Sequence, residues 1–154
     1  MKSNSTNKVT ISGYKPKIWQ SDLHKVLDKS RGSGKRVTVL SPRQVGKSYA
    51  LQFEIIRFAL EAPSMIMYLC PTNNLARKCF KDLTKKLIKS GLIKSANSTT
   101  LEIEWINGSQ VFFRSAEMRD NLRGYTVDFL IIDEAAFISD EIFILHNKSI
   151  KTTI

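Results

Sequence analysis

The chain has 154 residues, of which 42% are hydrophobic, and carries a formal net charge of +10 with a sequence pI near 9.8. That is enough for one compact domain with a core, and it leaves no room for a motor domain joined to a second enzymatic domain. The charge balance calls for an anionic partner, nucleic acid being the commonest. No apolar run approaches the roughly 20 residues of a membrane span. The polar start MKSNSTNK has no apolar segment behind it, so no secretory signal is expected. Cys70 and Cys79 lack the paired spacing of a zinc site and read as reduced core thiols of an intracellular protein.

Residues 1–13 read as a flexible arm and 14–154 as a single partial domain. A helix is expected from about Lys17 to Leu27, with Ile18, Leu23, Val26 and Leu27 on one face, Trp19 beside them and Pro16 near its start. The polar turn Ser30–Arg36 hands the chain to a short β-branched run, Val37-Thr38-Val39-Leu40, expected to be the first strand. A helix is expected over Tyr49–Glu61, ended by Ala62-Pro63. Ser64–Cys70 is a nearly continuous apolar run, the pattern of a strand buried on both faces of a parallel sheet. Strand, helix and strand make a βαβ unit.

A second long helix follows Pro71, with Thr72 or Asn73 as its cap. Leu75, Cys79, Leu83 and Leu87 form its apolar stripe, widened by Phe80 and Ile88, and Gly91 closes it. Its remaining surface is basic: Arg77, Lys78, Lys81, Lys85, Lys86 and Lys89. A solvated face and a DNA-contacting face both fit that pattern. Thr99–Arg114 carries a hairpin signature around Asn107-Gly108, an antiparallel addition to the sheet. Phe129–Ile132 reads as a buried strand ending in Asp133-Glu134, and Ser139 to about Lys148 reads as an amphipathic helix.

Two stretches carry chemistry. SPRQVGKS, Ser41 to Ser48, lies between the first expected strand and a helix, the context of a phosphate-binding loop. Backbone N–H groups at the helix start are expected to face an anion there, with Ser41, Pro42, Arg43, Gln44, Val45, Gly46, Lys47 and Ser48 as the nucleotide-binding residues. The helix dipole favours negative charge, Lys47 adds a point charge, and Ser48 offers a hydroxyl to a magnesium ion bridging phosphates. Ser41 stands where the usual pattern has glycine. The apolar run ending in Asp133-Glu134 supplies the other half of a nucleotide-hydrolysis site: Asp133 to hold Mg²⁺, directly or through water, and Glu134 to orient and deprotonate the attacking water. Together they predict an α/β fold of the P-loop NTPase class that binds ATP and Mg²⁺.

The sequence resembles the large terminase subunit of tailed bacteriophages, the motor that packages viral DNA. SPRQVGKS is similar to that family's variant Walker A loop, with an arginine inside it. LRGYTVDFLIIDEAAFI, Leu122 to Ile138, is similar to its Walker B segment. YLCPTNNLARKCF resembles its second strand and following helix, and IWQSDL its adenine-recognition segment. The resemblance implies a three-layer, RecA-like (ASCE) fold with a mostly parallel central sheet plus a β-hairpin. It implies an ATPase driving double-stranded DNA into a procapsid, as a homo-oligomeric ring on the capsid portal with a small terminase subunit, in the host cytoplasm and away from membranes. Gln20 would contact adenine, or be an ordinary helical glutamine. Arg43 would neutralise charge on the γ-phosphate as an arginine finger from the same chain, or only shape the loop. Arg123 would be a partner of the Asp-Glu strand end, a nucleotide sensor or a finger acting on a neighbouring subunit.

Large terminases continue past the point where this chain stops, with further core strands, a coupling motif and a nuclease domain. The chain is therefore expected to be the N-terminal part of such a motor, lacking the C-terminal part of the fold. It is expected to bind ATP weakly, to hydrolyse it slowly or not at all alone, and not to cut DNA, although a full-length relative would also be an endonuclease. A helicase-type translocase shares the upstream glutamine and both motifs, but helicases usually follow Asp-Glu with x-His or x-Asp, and Ala135-Ala136 stand here. A basic nucleic-acid-binding or regulatory module with a vestigial nucleotide site is the other alternative.

Overall fold

The computed structural model describes residues 13–33, 36–118, 126–141 and 150–153. Among the described residues three helices, α1 (Ile18–Ser30), α2 (Lys47–Glu61) and α3 (Asn73–Leu87), accompany six strands. The strands are β1 (Met65–Cys70), β2 (Ile93–Asn97), β3 (Glu102–Trp105), β4 (Gln110–Ser115), β5 (Val127–Ile132) and β6 (Ile150–Thr153). They form one mixed, mostly parallel sheet in the order β2-β3-β4-β1-β5-β6. β1 lies at its centre, parallel to β4 on one side and to β5 on the other, and β5 is parallel to β6. β2, β3 and β4 pair antiparallel.

β1 is apolar in both registers, and the structure uses both. Ile66, Tyr68 and Cys70 face the main core with α2 and α3, while Met67 and Leu69 face a second cluster with Leu130, Ile132 and Ile138. All five are fully or almost fully buried, as a central strand requires. α2 buries Ala50, Phe53, Ile55, Ile56, Phe58 and Ala59, and its Phe58 ring stacks on Phe129 of β5 at 4.0 Å. α3 starts where Thr72 Oγ1 accepts the Leu75 N–H at 3.3 Å, so Thr72 caps the helix as expected. Its Phe80 meets Phe113 of β4 edge-on.

Several expectations change. Val37–Leu40 makes no strand: only the preceding Arg36 forms an isolated bridge, and Val37 and Val39 pack on the core instead. β2 and β6 were not anticipated. The hairpin is not a mere appendage, because its return strand β4 is also the parallel neighbour of β1. The chain turns through Ile106–Ser109 rather than a two-residue loop. Asn107 is held there, its amide donating to Ala59 O at 2.6 Å while its side-chain oxygen accepts from Ser109 N–H at 3.1 Å. On α1 the inward face is Gln20, Leu23, Leu27 and Ser30; Ile18 and Val26 are 85% and 47% exposed. On α3, Leu75 and Ile88 are likewise exposed and Ala76 is buried in their place. The expected arm and most of the expected tail helix lie outside the described residues, as does Arg123.

α1 is tied to α2 by a polar network on its outer side. The Tyr14 hydroxyl meets His24 Nε2 at 2.6 Å, and His24 Nδ1 meets the buried Glu54 carboxylate. Arg57 bridges Glu54 and Asp28, the latter through two bonds of 2.6 and 2.8 Å. Tyr14 also stacks on Phe53 at 3.7 Å. His24 therefore has a structural role, linking Tyr14 to Glu54.

Candidate functional site

The two motifs meet at the carboxyl ends of the strands, where open parallel sheets bind ligands. The Ser48 hydroxyl donates to Asp133 Oδ2 at 2.6 Å across a sequence separation of 85 residues. Ser48 is in the first turn of α2, and Asp133 directly follows β5. The Asp133 N–H donates to Leu69 O at 2.9 Å, which extends the β1–β5 ladder by one bond and fixes the carboxylate's origin. Glu134 then departs sharply. Its φ of 56° and ψ of 44° are left-handed, its N–H donates to Asp133 Oδ1 at 3.1 Å, and a short 3-10 turn, Ala135–Phe137, follows. A non-glycine residue held in that region costs on the order of 1–3 kcal/mol and tends to occur at functional sites. The turn aims the half-buried Glu134 away from the strand while Asp133 stays 6% exposed.

The loop itself is shaped by backbone conformation. Gln44 and Gly46 both have positive φ, 61° and 95°. Gly46 is the residue from which α2 springs, its carbonyl accepting the Ala50 N–H at 3.1 Å. Pro42, Arg43 and Gln44 are exposed; Ser41, Val45, Gly46, Lys47 and Ser48 are half-buried. Neither Arg43 nor Lys47 has an ion-pair partner among the described residues. Ser41 Oγ is buried without a hydrogen-bond partner.

Gln20 reaches this loop from α1. Its Nε2 donates to Gly46 O at 3.1 Å, and its Oε1 accepts the Lys17 N–H at 2.8 Å. Lys17 Nζ reaches Val45 O at 3.5 Å. At 3% exposure, Gln20 is a buried clamp between the start of α1 and the loop, not a surface glutamine. A cavity of about 330 Å³ opens beside the loop, lined by the polar Ser41, Lys47, Asp133 and Glu134 and by apolar residues such as Leu51 and Ile132.

Tyr68 belongs to the site although nothing singled it out beforehand. Its hydroxyl donates to Asp133 Oδ2 at 2.7 Å, the same oxygen that Ser48 engages. Burial first, then the Asp133 carboxylate and the nearby thiols of Cys79 and Cys70, push the phenol well above its ordinary value. The group therefore stays a donor at any physiological pH. The one available signal was a lone hydroxyl inside the apolar run MIMYLC.

The donor set fits a magnesium ion. Ser48 and Asp133 present a hard hydroxyl and a hard carboxylate at one point. Among the described residues no group of three or more His, Cys, Asp or Glu could hold a metal alone. This suits an ion completed by phosphate oxygens and water, as magnesium commonly is. The orphaned Ser41 hydroxyl and the unpaired Lys47 ammonium lie where an anion would compensate both.

Comparison with known proteins agrees with this geometry. The family model for the N-terminal part of the T4likevirus-type terminase large subunit matches residues 38–152. The terminase large subunit of Thermus virus P23-45 is 28% identical over 164 residues, covering 94% of this chain and 32% of that protein. That of Escherichia phage T5 is 34% identical over 105 residues, covering 68% of this chain and 24% of that protein. The chain thus spans about a third or less of the length of these relatives. Among solved structures, the large terminase ATPase domain of Thermus phage P74-26 superposes with a TM-score of 0.65 at 25% identity, covering 92% of this chain and 65% of that one. With its Gly-Lys-Ser loop and its Asp-Glu strand end brought together on a mostly parallel sheet, the chain belongs to the terminase large-subunit family and matches the N-terminal part of that subunit.

Proposed function

We propose that this chain binds ATP with Mg²⁺ and is the nucleotide-hydrolysing part of a motor that drives double-stranded DNA into a viral procapsid. The observation that carries the reading is the 2.6 Å bond between Ser48 and Asp133, which unites two motifs that are far apart in sequence. In this reading the amides of Arg43–Gly46 and of the start of α2, with Lys47, hold the phosphates. Ser48 and Asp133 hold magnesium, which neutralises charge on the phosphate oxygens when bound. Glu134, displaced from the strand by its left-handed turn, orients the attacking water and takes its proton at the carboxylate. Arg43, exposed and unpaired on the loop, supplies positive charge to the γ-phosphate. Beyond its bonds to Gly46 O and to the Lys17 N–H, Gln20 keeps one N–H and one lone pair, the complement that an adenine edge needs.

The remaining roles rest on family membership: a ring on the capsid portal, a small terminase partner, Arg123 as sensor or trans-acting finger, and a place in the host cytoplasm and on the procapsid. No helix among the described residues is long and apolar enough to cross a membrane.

Calorimetric titration of ATP with Mg²⁺ tests the site. Wild type is expected to bind, weakly, and Lys47→Ala to lose binding without losing its fold. Equal affinity in the two proteins would remove the phosphate loop from the reading, and DNA binding that survives intact without any nucleotide site would favour the binding-module alternative.

A further inference from the structure

Asp133 is held by more donors than the two motifs supply. A carboxylate offers about four lone-pair sites. In this chain Oδ1 accepts the Glu134 N–H at 3.1 Å, and Oδ2 accepts both Ser48 Oγ–H at 2.6 Å and Tyr68 O–H at 2.7 Å. The two Oδ2 donors differ in kind. Ser48 stands in the half-buried first turn of α2, and its oxygen is the one a cation would take. Tyr68 stands on the central strand, paired across the sheet with Ile131 and fully buried, with its ring against Phe113. The protein oxygen its hydroxyl engages is Asp133 Oδ2.

We propose that Tyr68 is a positioning residue for Asp133: its hydroxyl fixes the carboxylate's rotation so that the remaining oxygen valence points at the metal, and it thereby sets the magnesium affinity of the site. The inference rests on the nucleotide-site reading above. The bond that a cation at Ser48 disturbs is the Ser48 bond; the Tyr68 bond persists through loading and release. The carboxylate therefore need not be reoriented each time a cation arrives. Groups that orient a metal ligand in this way typically change metal affinity or activity by roughly tenfold to a hundredfold when removed.

Tyr68→Phe keeps the ring and removes only the hydroxyl. ATP binding is measured by calorimetry in wild type and variant, first with EDTA and then over a series of Mg²⁺ concentrations. Metal-free ATP affinity is expected to be unchanged, and the Mg²⁺ concentration giving half of the metal-dependent gain is expected to rise about tenfold. In an Asp133→Asn background, Tyr68→Phe is expected to have no further effect on metal dependence, since its target is already altered. An unchanged Mg²⁺ requirement in Tyr68→Phe overturns the proposal. So does a parallel loss of metal-free binding, or a collapsed near-UV circular dichroism spectrum, either of which would make the residue a packing element. Absence of any ATP binding by wild type would instead defeat the nucleotide-site reading itself, and this inference with it.

Discussion

Gly46 offers a quantitative test of how the loop is held. Its φ of 95° lies in the region that L side chains avoid, and a Cβ built there would stand 3.1 Å from Gln20 Nε2. The far end of a glutamine would ordinarily swing aside. Here Oε1 is pinned by the Lys17 N–H and Nε2 by Gly46 O, so shifting the amide to make room strains both bonds. Gly46→Ala therefore incurs about 1–2 kcal/mol for the left-handed backbone and about 1 kcal/mol for the displaced hydrogen bond. A total near 2–3 kcal/mol corresponds to a fall in Tm of about 4–12 °C for a chain of this size. Gln20→Ala removes the steric partner. In the double variant the backbone cost remains and the clash does not, so the two effects should fall short of additivity by about 0.5–1 kcal/mol. Equilibrium urea unfolding of the four proteins measures this. Strict additivity, or an unaffected Gly46→Ala, would refute the clamp.

Two further predictions concern other parts of the fold. Ser109 is fully buried, its hydroxyl donating to Ala59 O at 2.8 Å and accepting the Ser64 N–H at 3.1 Å. Ser109→Ala leaves that N–H unsatisfied beside β1 and should cost about 1–3 kcal/mol in chemical unfolding; a neutral result would mean the turn relaxes to bond water. Tyr14 has its phenol raised from 10.0 to about 12, by burial first and then by the Glu54 carboxylate. A raised folded value means the folded state keeps its proton longer than the unfolded chain. The contribution is therefore fully present below about pH 10 and is lost as pH rises towards 12. Unfolding midpoints across that window should fall more steeply in wild type than in Tyr14→Phe, and parallel curves would count against it.

The legibility of the chain follows the range of the interactions involved. Lys47-Ser48 and Asp133-Glu134 were readable because each motif is a local signal: a loop before a helix, and an apolar run ending in acids. That they meet followed from placing both at the same end of parallel strands. Thr72 was likewise readable, because a cap is made within one turn. Val37–Leu40 misled because β-branched residues report fitness for a pleated surface, not the presence of a neighbouring ladder. Ile18 and Val26 misled because an apolar stripe can be drawn through them, whereas the inward face turned out to run through Gln20, a polar residue retained for its bonds to the loop. Tyr68 was hidden among apolar neighbours, since its ring belongs to the core and only its oxygen belongs to the site. β6 gave no signal in the short polar sequence Ile150–Thr153, whose place depends on β5.

The 85-residue span between Ser48 and Asp133 also couples ligand to folding. An unfolded chain has no such pair, so ligand that needs both groups binds the folded state alone. Each occupied site then adds RT ln(1 + [L]/Kd) to the free energy of unfolding, about 2.7 kcal/mol at a hundredfold excess over Kd. The β2–β3–β4 meander can form from contacts close in sequence, whereas the β1–β5 pairing that presents Asp133 must close a much longer loop. Nucleotide should therefore protect the amides of β5 and the start of α2 from hydrogen exchange more than those of the meander, making the site a reporter of the long-range β1–β5 closure.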